Sequence, residues 1–68
     1  MRAMTPATRL RAALRALGWS QRELSRRLLQ DERTVRRWAS GEYPCPEPTL
    51  EWLERAAIWL TDNPAPRA

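Results

Sequence analysis

The chain contains only two glycines, Gly18 and Gly41, and each directly follows a run of regularly spaced apolar residues. Glycine enters the left-handed conformation that closes a helix without steric cost, so both positions read as helix stops. Nothing around them has the alternation of a strand. A chain of 68 residues divided in this way can form only short helices, and short helices persist in water only by packing on one another. The expectation is one all-α domain over residues 1–68, close to the lower size limit for an independent fold.

Four helices can be placed. Thr5 caps the first and Pro6 occupies its first position, where a missing N–H costs nothing. Leu10, Ala13, Leu14 and Leu17 give it one apolar face, so it spans 6–17. Ser20 and Glu23 form a capping box for a second helix, in which the carboxylate reaches back to the Ser20 N–H. Leu24 and Leu28 of this helix face inward, while Arg22 and Arg26 share the outer face. Asp31 caps a third helix that runs through Val35 and Trp38 to Ser40. Tyr43-Pro44-Cys45-Pro46 is an extended loop, since prolines bias their predecessors away from helix, and Cys45 is expected there as a free thiol. The fourth helix covers about 48–62, with Glu47, Glu51 and Glu54 toward its positive end. Leu50, Leu53, Ala57 and Leu60 form its inner stripe, and residues 63–68 form a frayed tail.

Several function classes drop out. Without histidine and with one cysteine, neither a zinc site of the usual ligands nor a disulfide framework can form, so no metal and no cofactor is expected. No nucleophile–base pair suggests an enzyme. No apolar run approaches the roughly 18 residues of a membrane span, and the N-terminus lacks a signal peptide's apolar segment. A cytoplasmic, nucleoid-associated location is the expectation. The charge is unevenly placed. Residues 1–37 carry ten arginines against three acids, a net +7, whereas residues 38–68 carry two against five, a net −3. There is no lysine, and arginine favours planar two-point contacts to phosphate or guanine. A polyanion partner for the first half follows.

Residues 20–41, SQRELSRRLLQDERTVRRWASG, resemble the helix-turn-helix of the Cro/lambda-repressor-like (XRE-type) family. The matching features are Ser20-Gln21, Leu24 with small Ser25, Leu28, the cap at Asp31, Thr34-Val35, Arg37-Trp38 and Gly41. Leu-Gly-Trp at 17–19 and Leu50 with Leu53 extend the likeness over about residues 5–57. The resemblance implies a compact four-helix, lambda-repressor-like domain with an extended C-terminal helix. One departure stands out, because the family often has glycine where this chain has Leu29 and a hydrophobic residue where it has Gln30. Leu29 must either adopt a left-handed turn, at about 1–3 kcal/mol, or rebuild the turn.

The resemblance also implies roles. The family's recognition helix reads bases from its first, second and sixth positions, here Glu32, Arg33 and Arg37. Arginine can bind guanine O6 and N7 together, and glutamate can accept from cytosine N4. Arg36 is expected on a phosphate or a neighbouring base. Ser20 and Gln21 match the family's phosphate contacts, with Arg22 and Arg26 at the periphery. Tyr43 is left between a phosphate contact and packing under its loop. Arg2, Arg9, Arg11 and Arg15 are assigned only long-range attraction. Trp52, Ala56 and Trp59 form a second stripe on the fourth helix and are read as a dimer interface, the alternative being that the rings fold over the first helix.

The function expected is a sequence-specific, double-stranded DNA-binding regulator of transcription. It would be a homodimeric repressor or autoregulator on an inverted-repeat operator, of the size found in phage and mobile elements, including anti-CRISPR-associated regulators. The alternatives left open are the antitoxin of a toxin–antitoxin pair and a protein-interaction adaptor with the same fold.

Overall fold

The computed structural model describes residues 4–66, which form four helices and no strand: α1 (Pro6–Leu17), α2 (Gln21–Leu28), α3 (Glu32–Ser40) and α4 (Glu47–Asp62). Each of the first three begins with a side-chain cap. The Thr5 hydroxyl accepts from the Thr8 N–H at 3.1 Å, Ser20 from Glu23 at 3.0 Å, and the Asp31 carboxylate from Arg33 at 2.7 Å. These bonds satisfy donors that a helix start leaves open. The reciprocal half of the expected Ser20–Glu23 box does not form among the described residues. The Glu23 carboxylate instead lies 3.5 Å from Arg27 Nε, one turn ahead on the same helix. The fourth helix starts without a side-chain cap, after Pro46 and one residue earlier than the sequence suggests.

The same three helices also end alike. At Gly18, Leu29 and Gly41 the backbone turns left-handed. At each, the residue's own N–H bonds the carbonyl three residues back, and the next N–H reaches five back. That pair of hydrogen bonds is a Schellman closure. Leu29 does this with φ 54°, so it adopts the left-handed turn instead of rebuilding it. Its side chain gains nothing in return, being 92% exposed.

One apolar cluster joins the helices. It holds Leu10, Ala13, Leu14 and Leu17 of α1, Leu24 of α2, Val35, Trp38 and Ala39 of α3, and Leu50, Leu53 and Ala57 of α4. The longest packing seam is α1 on α4, and α3 bears on both α1 and α2. Ser25 is buried, and its hydroxyl donates to the Arg22 carbonyl at 2.7 Å, which satisfies it where a larger side chain would push the helices apart. Leu10, Leu24, Val35, Leu50 and Leu53 are fully enclosed, and burying each such side chain stabilises the fold by about 1.5–3 kcal/mol.

Cys45 is a free thiol in the loop after α3, as the sequence suggests, and its burial is what the sequence did not reveal. Its backbone lies in the loop, but its side chain is buried as part of the core. Burial pushes the thiol up to about 11, with Arg9 opposing the shift and Glu47 adding to it. A thiol held this way is neutral at physiological pH and chemically quiet.

Candidate nucleic-acid interface

The α3 helix has two unlike sides. Val35, Trp38 and Ala39 are buried, while Glu32, Arg33, Arg36 and Arg37 are exposed. The division follows from spacing, since Val35 and Trp38 lie three apart on one face and the charged residues occupy the rest of the turn. Arg33, Arg36 and Arg37 line one shallow surface cleft with Ser40 and Glu42. Three guanidinium groups on one helical face form a concentrated positive surface. Among the described residues neither Arg33 nor Arg36 has an ion-pair partner.

Arg37 is more constrained. Its Nε lies 3.8 Å from a Glu42 carboxylate oxygen, and its guanidinium sits 5.7 Å from the centre of the Tyr43 ring. Tyr43 is half exposed and is placed by its own N–H, which bonds the Arg37 carbonyl at 3.3 Å. The ring therefore stands beside the positive face and is not packed under the loop. Glu42 as a competing counter-charge was not foreseen from the sequence. Its position just after the Gly41 stop, within reach of the last turn, is the signal that could have found it.

At the start of α2, Ser20 and Arg22 are exposed and Gln21 is half-buried, and Arg26 is exposed in the last turn of the same helix. Ser20 caps the helix, and Arg22 and Arg26 lie on its outer face, as their spacing suggests. Arg27 belongs to a different constellation. Its guanidinium lies 4.1 Å from the centre of the Trp19 ring, and Trp19 meets Trp52 at 6.1 Å with the planes tilted by 41°. An arginine over an aromatic face is attracted by the ring's negative face. This stack joins α2 to α4 through the connection after α1. It also divides the expected stripe on α4: Trp52 leans on Trp19, Ala56 is half-buried against the core, and Trp59 remains 63% exposed.

Two arginines assigned to distant attraction do something else. Arg9 donates from Nε and Nη2 to the Glu54 carboxylate at 3.0 and 2.6 Å, and from Nη1 to Glu47 at 3.0 Å. The hydrogen bonds that Arg9 donates to Glu54 and then to Glu47 raise its pKa above its already high value, and the same bonding holds the Glu54 carboxyl below its usual range. Arg11 donates to the Ala39 carbonyl near the end of α3. Both are ties between helices. Arg15 stays exposed, whereas Arg2 lies outside the described residues.

No helix of the described residues is long and apolar enough to cross a membrane, and they contain no cluster of metal-ligating side chains. No family model, curated protein or solved structure matches the chain.

Proposed function

We propose that this chain is a helix-turn-helix protein of the lambda-repressor-like kind that binds double-stranded DNA by sequence, with α3 as the recognition helix. The observation that carries the reading is the exposed face of α3, where Arg33, Arg36 and Arg37 gather over a buried Val35–Trp38 ridge. An α-helix with this outer chemistry fits the major groove, where Arg33 and Arg37 would read guanine and Glu32 would accept from cytosine. Ser20, Gln21, Arg22, Arg26 and Tyr43 would bond phosphates and fix the register without reading sequence.

The protein would act as a homodimeric repressor that blocks transcription by occupying its site, with the dyad on the exposed surface of α4 near Trp52, Ala56 and Trp59. A single helix reads few base pairs, so useful specificity requires two. The experiment is selection from a randomised duplex library. The expected product is an inverted repeat whose half-site centres lie roughly 10–11 base pairs apart, matching recognition helices about 34 Å apart. Recovery of no preferred sequence would refute the reading.

A second reading rests on Ile58 and Trp59, large apolar side chains left in solvent. They would serve equally an antitoxin gripping its toxin or an adaptor contacting another protein. Such a protein would copurify with a different chain and show no selected DNA sequence.

A further inference from the structure

We propose that the outward face of α4 seats a second copy of this chain, antiparallel, about a two-fold axis passing between Ile58 and Trp59. Arg55 of each copy then lies opposite Asp62 of the other. The proposal rests on the homodimer reading above and specifies its geometry.

Three observations place the axis. Ile58 and Trp59 are 64% and 63% exposed, whereas Trp52 is less so at 39% and already engaged by Trp19. The contact therefore centres nearer the C-terminal end of α4 than the Trp52–Ala56–Trp59 stripe suggests. Arg55 and Asp62 are exposed and, among the described residues, neither has an ion-pair partner. Finally, Arg55, Ile58 and Asp62 recur at i, i+3, i+7, which puts them on one stripe of the helix. That stripe faces away from Leu50, Leu53 and Ala57, which fill the core.

Charge complementarity selects the orientation and register. A parallel pair would set Arg55 against Arg55 and Asp62 against Asp62. An antiparallel pair with its axis midway between those residues sets each arginine against an aspartate and closes Ile58 over the partner's Trp59. Pairing Arg55 with Glu51 instead would move the axis to Leu53. It would also slide Ile58 and Trp59 onto the helix start at Glu47 and Pro48, which offers poorer apolar cover. The overlap in the favoured register spans residues 55–62, about 12 Å of helix. That is small beside a standard interface, so self-association is weak, with a Kd of roughly 10 µM or above, and binding to paired half-sites reinforces it.

The test uses two charge swaps read by sedimentation equilibrium without DNA. Arg55→Asp makes the stripe wholly acidic, and Asp62→Arg makes it wholly basic. Each variant should self-associate at least about tenfold more weakly than wild type, because like charges meet across the axis. Mixed in equal amounts, the two should restore association, because acidic and basic stripes then face each other at both positions. Far-UV circular dichroism checks that helix content is retained. If either swap fails to fold, Arg55→Gln and Asp62→Asn replace them, and each should weaken association several-fold. Unchanged association of the single variants, or a mixture that stays monomeric, overturns the register and leaves the homodimer reading standing if wild type dimerises. A wild-type protein that stays monomeric both free and on its selected DNA overturns both.

Discussion

Arg9 and Arg33 carry the same guanidinium group in opposite surroundings. Arg9, between α1 and α4, is clasped by Glu54 and Glu47, which neutralise it. Arg33, with Arg36 beside it on α3, faces solvent and has no acid within ion-pair distance among the described residues. The acids that hold Arg9 come from 38 and 45 residues farther along the chain. Local charge counting therefore overstates the positive surface of the first half. Some of its arginines are used internally, and of those left without an acid, Arg33 and Arg36 stand together on the outer face of α3. One set holds the fold together, and the other is available to a polyanion.

The largest effect separates the two sets directly. Replacing Arg33, Arg36 and Arg37 together by alanine should lower affinity for the selected DNA by more than about 100-fold. Stability should change by less than about 1 kcal/mol, as exposed positions permit. Arg9→Ala should do the reverse, lowering the melting temperature because Glu47 and Glu54 then face each other without a cation. The protein that remains folded should bind DNA with wild-type affinity. A stability loss from the triple variant as large as that from Arg9→Ala would erase the distinction.

Acid should release the clasp next. Arg9 depresses the folded-state pKa of Glu54, so the contribution is complete above the ordinary carboxylate value of about 4.3 and disappears as pH falls through the lower folded value. Between pH 6 and pH 3 the melting temperature of wild type should fall more steeply than that of Glu54→Gln, which has no such proton to gain. Parallel curves would show that the clasp contributes nothing.

Smaller still is the effect at Leu29, where α2 ends as α1 and α3 do but without their glycine. Leu29→Gly should stabilise the protein by about 1 kcal/mol, because glycine adopts the same φ without steric cost and the leucine side chain is in solvent. A shift of the urea midpoint to higher concentration, at constant slope, checks it. Least of all, Glu42→Gln should strengthen DNA binding by a few tenths of a kcal/mol by freeing Arg37 from a long, exposed ion pair. A titration at low salt is where this should show, and weaker binding by the variant would place Glu42 among the contacts.

These differences also mark what was legible before the fold was known. Helix limits were readable because they rest on local chemistry: Thr5, Ser20 and Asp31 as caps, and Gly18 and Gly41 as stops. The outward set on α3 was readable because Val35 and Trp38 fix which side turns inward. The Arg9 clasp, the Arg27–Trp19–Trp52 stack and the burial of Cys45 were not, since each joins residues from different elements. No periodicity within one helix reveals which side chain of another it will meet. The Ser20–Glu23 box failed in half for the opposite, local reason, because Glu23 had Arg27 within reach one turn on along its own helix.

The claim that the free arginines of α3 read bases is tested most directly by comparing Arg33→Ala with Arg22→Ala on the selected DNA and on a scrambled duplex, across a range of salt. Arg33→Ala should cost about 1–3 kcal/mol on the selected site, far less on the scrambled one, and relax the preference at one base position. Arg22→Ala should weaken both duplexes alike and reduce the salt dependence by about one phosphate contact. Equal losses on both duplexes for Arg33→Ala would contradict the account.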